Sequence, residues 1–186
     1  MIIIAHKSRM KESILKKYPD AHIVDVTSKA EDAFVRLSPF YAHGGIPIPF
    51  SEGEVVLGQS VEGIWQGLKV FETEDIDVAK FEVRNMKGLK RTVRKFGKCL
   101  GHRKGVKGEE LLGYIEARKQ LYVPLYLWIL THKVSDLLAE LRAIAEKHTL
   151  VLLDYEVNGN IEDPSKPLSH AHLIKMYLEG GLSVNN

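Results

Sequence analysis

At 186 residues, with 45% hydrophobic and 27% charged side chains, the chain is long enough for one sizeable core and has an ordinary globular make-up. A single cysteine, Cys99, excludes an intrachain disulfide and a cysteine-based metal cluster, and no apolar run approaches the ~20 residues that span a bilayer. The formal charge of +2 hides an asymmetry: residues 80–107 hold eleven Lys or Arg and one acid, Glu82, so the rest of the chain carries a net of −8. Such a basic block suits an anionic partner: a nucleotide, a nucleic acid or an acidic protein.

Met1-Ile2-Ile3-Ile4-Ala5 is too short for a signal-peptide core and has no basic segment before it, so it reads as a buried first strand. With one cysteine, a reducing cytoplasm is the simplest compartment. Arg9 to Tyr18 reads as a short helix stopped by Pro19, and His22 to Val26 as a second strand. Pro39 to Glu54, rich in Pro and Gly, predicts a loop or irregular hairpin. It runs into a helix from Ser60 to Lys69, with the Ser60 hydroxyl as N-cap. Phe81 to Phe96 has helical character, Gly97 to Gly108 reads as a loop between helices, and Glu110 to Leu121 as a further helix. Pro124 to Leu130 begins the next. Val134 to His148 is amphipathic, with Val134, Leu137, Leu138, Leu141, Ile144 and Ala145 on one side. Thr149 to Leu153 is a buried strand, Asn158 to Lys166 a polar loop, and Ser169 to Leu178 a final helix. Helices dominate the middle and strands lie near the two ends. The expectation is a single, mostly helical α+β domain over residues 1–186.

The helix at Ser60 carries the most information. At about 100° per residue, Val61, Ile64, Trp65 and Leu68 share an apolar arc. Glu62, Gln66 and Lys69 form a polar stripe, and Gly63 and Gly67 lie beside it. Each glycine costs about 0.5–1 kcal/mol against alanine in a helix. Their spacing therefore says that another backbone or a ligand comes close. Glu62 near the helix start is stabilised as a carboxylate by the helix dipole, which suits an electrostatic stabiliser or a base.

Four further groups can carry chemistry. Phe40 and Tyr41, followed by His43, Gly44 and Gly45, can stack on a planar base or plug the core beneath their loop. Lys98, Gly101, His102 and Arg103 lie in a glycine-rich basic stretch that fits phosphate binding, although neither a Walker motif nor a dinucleotide fingerprint is present. Asp154 closes a strand, where a rigid element can fix a catalytic carboxylate or where it can cap the next turn. His170 can donate to a phosphate or sugar, or cap its own helix together with Ser169. His170 and His172, two apart, do not share a helix face; with no Cys partner and no H-E-x-x-H this speaks against zinc, and no metal or cofactor is expected.

Three blocks resemble the NADAR (YbiA-like) superfamily: Ser38-Pro39-Phe40-Tyr41, then Ser60-Val61-Glu62-Gly63-Ile64-Trp65-Gln66-Gly67-Leu68-Lys69, then Gly97-Lys98-Cys99-Leu100-Gly101-His102-Arg103. They match that family's F-S-N-F-Y-like, S-V-E-H-x-Y-Q-A-x-K and A-K-x-L-G-R-like segments in order over about residues 38–105. The resemblance implies an α+β fold and hydrolysis of N-glycosidic bonds in ribosyl or ADP-ribosyl compounds. Glu62 is then the catalytic carboxylate, with Gln66, Lys69, Gly101 and Arg103 at matching positions. Two departures stand out: Gly63 replaces the family's His, and its C-terminal W-G-x-G segment is absent. In this scheme Asp154 orients sugar hydroxyls or water, Trp65, Phe40 and Tyr41 hold the base, and Lys69, Lys98, His102 and Arg103 hold phosphates. Two other expectations remain: a non-catalytic nucleotide-binding or sequestering protein, and a nucleic-acid-binding protein that uses residues 80–107.

Overall fold

The computed structural model describes residues 1–51 and 53–182. Glu52, within the expected Pro39–Glu54 loop, lies outside the described residues. In chain order the elements are β1 (Ile2–His6), α1 (Lys11–Lys17), β2 (Ala21–Asp25), β3 (Ile46–Pro47), β4 (Leu57–Gly58), α2 (Val61–Gly67), β5 (Lys69–Phe71), α3 (Val93–Phe96), β6 (Cys99–Arg103), β7 (Leu111–Leu112), α4 (Tyr114–Ala117), α5 (Val123–His132), α6 (Ser135–Lys147), β8 (Thr149–Asp154) and α7 (His170–Leu178). Two 3-10 turns, Ala33–Leu37 and Val78–Glu82, and a π-helical turn, Arg118–Tyr122, complete the set. The fold is α+β. Its contacts divide it into two compact units: residues 1–38 with 130–186, and residues 39–129.

The first unit is built on an all-parallel sheet of order β1-β8-β2. β8 lies between the other two strands and is buried along its whole length, which is why it reads as an unbroken apolar run. Ala5, Ile14, Val151 and Leu153 form a core on one sheet face, so α1 covers that face. Leu150, Leu152 and Val24 alternate to the other face and are also buried. α6 buries Leu137, Leu138 and Leu141, and α7 buries Ala171, Leu173 and Ile174. Both pack against β8. Val134 stands just outside α6 as its N-cap, although its side chain is fully buried.

The second unit holds α2, the antiparallel sheet β5-β6-β7 and the short β3-β4 pair. It departs most from expectation. The α2 helix ends at Gly67, and Lys69 begins a strand instead. Phe81 to Phe96 is mostly irregular. Met86 and Gly88 take positive φ angles of 58° and 65°, which no helix admits. The segment also has too few acids to offset its cations by i,i+4 pairing. Its backbone bonds go elsewhere: the Arg91 amide donates to Gln66 Oε1 at 3.0 Å. The expected loop at Gly97–Gly108 contains β6, paired with β5 as Lys69 to His102 and Val70 to Gly101. In the expected helix from Glu110, Leu111 and Leu112 form β7, and Gly113 precedes the first helical turn.

Candidate functional site

The two glycines of α2 have a definite partner. A Cβ on Gly63 would stand 2.6 Å from the Lys80 carbonyl oxygen, and one on Gly67 would stand 2.3 Å from the Phe81 ring and 2.9 Å from the Asp77 carbonyl oxygen. The object that approaches this helix is therefore its own chain, the 3-10 turn Val78–Glu82. The Asp77 amide donates to the Gly67 carbonyl at 2.8 Å and closes the contact. The open alternative between a backbone and a ligand resolves in favour of the backbone, and Gly63 marks no room for a substrate.

The polar stripe survives the shortening of the helix. The Gln66 side-chain amide donates to Glu62 Oε1 at 2.8 Å, while its own carbonyl oxygen accepts the Arg91 amide, so both ends of the amide are held. The Glu62 amide donates to the Pro39 carbonyl oxygen at 2.8 Å, which anchors the Phe40–Tyr41 segment against the start of α2. The ammonium of exposed Lys90 lies 5.9 Å from the Phe40 ring centre. Burial raises the Glu62 carboxyl above its ordinary range, against the opposing pull of Gln66, Lys69 and Lys90. The dipole argument for a permanently ionised Glu62 therefore gives way: desolvation outweighs a seven-residue helix. Half-buried Lys69 is shifted in the complementary sense, lowered by burial and raised by Glu62.

His102 lies across the sheet from Lys69. It is 2% exposed, and among the described residues neither ring nitrogen has a hydrogen-bond partner. Its ring centre is 3.7 Å from that of Trp65. Burial, assisted by the Lys69 cation, pushes its pKa down to about 3, so the ring is neutral. A cationic phosphate ligand is thus the wrong assignment for His102. Trp65 is 8% exposed and packed against Tyr122 and Tyr114, with ring centres 5.5 and 6.2 Å away, so it is a core residue and does not offer a stacking face.

The remaining expected residues divide. Arg103 is paired with the Asp75 carboxylate at 2.7 and 2.8 Å and donates to the Glu109 carbonyl oxygen at 3.2 Å, contacts that a phosphate would have to displace. Lys98 is exposed, and its amide donates to Glu72 at 2.8 Å. Gly101 is buried mid-strand, where a Cβ would meet the Leu112 carbonyl oxygen at 2.7 Å. Tyr41 packs on His43 with ring centres 4.8 Å apart. Asp154 and His170 belong to the first unit and are bound to each other at 3.0 Å, with Ser169 Oγ donating to Asp154 at 2.8 Å. This geometry favours the capping alternative: Asp154 holds the start of α7, and His170 is bonded to Asp154 and lies 2.8 Å from the Val26 carbonyl oxygen.

Sequence reasoning missed Arg91. Its guanidinium lies against Phe71 and Phe96 and donates to the carbonyl oxygens of Gln66, Lys69 and Asp75 at 3.4, 2.6 and 2.7 Å. It fastens the end of α2 and the start of β5. Within a run of eleven cations nothing in the sequence singles it out. Among the described residues no group of three or more His, Cys, Asp or Glu is placed to hold a metal, and no helix is long and apolar enough to cross a membrane.

Fold and site together define an α+β protein with a buried, amide-held helix carboxylate beside two lysines. The chain belongs to DUF6939, a family of unknown function, whose profile matches residues 6–174. No curated protein matches it.

Proposed function

We propose that this protein is a hydrolase of N-glycosidic bonds in ribosyl or ADP-ribosyl compounds, with Glu62 as its acid–base group, acting in a reducing cytoplasm. The observation that carries the reading is the buried Glu62 carboxyl, fixed by Gln66 and raised by burial. The resemblance of three sequence blocks to the NADAR superfamily supplies the substrate class. A carboxyl raised towards neutrality is suited both to take and to return a proton. Water adds to the anomeric carbon as the C–N bond breaks, and the electron pair leaves with the nitrogen. Glu62 takes the proton that water releases and passes it to the departing base. Lys69 and Lys90 supply positive charge for the phosphates, and Phe40 supplies the aromatic face for the base.

The test is turnover of a panel of ribosyl-amine and ADP-ribosyl compounds by wild type and Glu62→Gln. Release of free base by the wild type, lost in the variant, is expected. Equal turnover by both ends the assignment. A ligand that copurifies intact and is never cleaved identifies the protein as a sequestering module instead.

A second reading rests on a separate observation. Arg84, Lys87, Arg94, Lys95 and Lys98 are exposed, and they suit a nucleic-acid backbone. Oligonucleotide affinity that falls steeply with salt would favour it.

A further inference from the structure

The carboxyl end of the parallel sheet holds a cluster that the proposed activity does not use. Asp154 ends β8, and its carboxylate is loaded with donors. Oδ1 accepts the Tyr155 amide at 2.7 Å; Oδ2 accepts Ser169 Oγ at 2.8 Å, the Ala171 amide at 3.2 Å and His170 Nδ1 at 3.0 Å. The opposite ring nitrogen, Nε2 of His170, lies 2.8 Å from the Val26 carbonyl oxygen, just past β2. Val26 in turn donates its amide to Leu153 at 3.3 Å. His170 is 7% exposed and Asp154 3%, so water does not stand in for these contacts.

The proton count follows from the partners. A carbonyl oxygen can only accept, so Nε2 must carry a hydrogen. The Asp154 carboxylate, fed by the Ser169 hydroxyl and the Tyr155 and Ala171 amides, can also only accept, so Nδ1 must carry one too. A neutral imidazole has a single N–H and would lose one of the two contacts. The arrangement therefore calls for an imidazolium. The charges around it agree. Asp154 faces it from β8 and Asp25 from the end of β2, with Asp25 itself paired to Lys7 after β1. His172, Lys175 and Tyr177 are the other titratable groups along α7.

The contacts also close a loop. Asp154 holds the first residue after β8, Tyr155, and the first turn of α7, Ser169 and Ala171. The Ser169 amide donates to the Asn158 carbonyl oxygen at 2.8 Å. Residues 155–168 are thus tied at both ends to one carboxylate.

We propose that Asp154 and His170 form a proton-dependent latch: with both ring nitrogens protonated it fastens α7 to the ends of β8 and β2, and loss of one proton in alkaline solution releases the first turn of α7 and residues 155–168. This does not depend on the reading of Glu62.

The test is nitrogen-15 NMR of the His170 ring in the full chain, with amide hydrogen exchange at Ala171 and His172 across the same pH range. Both ring nitrogens are expected to be protonated at neutral pH, with a midpoint above that of a free histidine. Between the free-histidine value and that midpoint, protection of the two amides should fall about tenfold per pH unit after correction for intrinsic exchange, since opening is linked to one proton, and it should level off above the midpoint. His170→Gln should remove this pH dependence. A singly protonated ring at neutral pH, or protection that does not change as pH rises from the free-histidine value to the His170 midpoint, overturns the latch. If His170→Gln does not fold, the wild-type titration and its exchange profile decide alone.

Discussion

Among the described residues each unit buries one carboxylate and one histidine, and the two sets are in opposite electrostatic states. In the first unit burial would raise the Asp154 carboxyl, but the His170 cation and the converging donors outweigh it and hold it low; Asp154 in turn raises His170. In the second unit burial prevails: Glu62 is raised and His102 is lowered to about 3. Mutual hydrogen bonding makes the difference. Asp154 and His170 satisfy one another, whereas Glu62 is bonded to the uncharged Gln66 and His102 has no hydrogen-bond partner among the described residues. A fully satisfied ion pair is a fastening. A carboxyl kept away from its comfortable charge state is what proton-transfer chemistry needs.

The sharpest way to break this comparison is to remove one partner from each pair. Asp154→Ala leaves a buried imidazolium and uncaps α7, and should cost about 3–5 kcal/mol in denaturant unfolding. Glu62→Gln keeps the shape and can still bond Gln66, so its large effect should fall on turnover, about 10²–10⁴-fold. Its effect on stability has the opposite sign to that of Asp154→Ala. A raised carboxyl favours the fold below its unfolded value of 4.5 and loses that contribution as pH rises through its folded pKa. Glu62→Gln should therefore be the more stable protein at neutral pH, with the gain vanishing on acidification. An Asp154→Ala protein of wild-type stability, or a destabilised Glu62→Gln at neutral pH, would erase the distinction.

Gly67→Ala probes a smaller term, the packing that holds the second site together. The new methyl meets the Phe81 ring and the Asp77 carbonyl oxygen, and overpacking of this kind costs about 1–3 kcal/mol. Thermal unfolding measures it. If a ligand and not the chain were the object near Gly67, the apo protein would tolerate the methyl.

The first unit was the more legible. Its strands are apolar runs bounded by polar turns, and α6 and α7 follow a helical period that burial reinforces, so β1, β2, β8 and both helices fall close to their expected places. The second unit was not, because its backbone is organised by single long-range contacts. Arg91 gathers three carbonyls, Phe81 fills the notch of Gly67, and β6 forms by pairing with β5 in a glycine-containing stretch. None of these leaves a periodic trace. Of the site, the Glu62–Gln66–Lys69 stripe was visible as residue spacing. The commitment of Arg103 to Asp75 was not, since nothing in the sequence ties positions 28 apart.

The smallest expected effect tests the unpaired member, His102. Phenylalanine keeps a flat ring against Trp65 and deletes two buried nitrogens that bond to nothing, a defect that costs about 1–3 kcal/mol. His102→Phe should gain about 1 kcal/mol at neutral pH, the extra volume of the ring offsetting the rest. The pH dependence is the stronger readout because packing cannot imitate it. A histidine lowered from 6.5 to about 3 takes up its proton only on unfolding. Wild-type stability from this group is complete above 6.5 and declines as pH falls, by about 1.4 kcal/mol per unit, until the folded ring itself titrates near 3. The variant lacks that decline, so its advantage should widen in acid, whereas a misfit ring would lower the whole curve without changing its slope. His170 has the reverse sign: its contribution is complete below 6.5 and is lost as pH rises through its raised value. Parallel profiles for His102→Phe and wild type would mean that the ring is not the neutral, unpartnered group that sets this site apart from the latch.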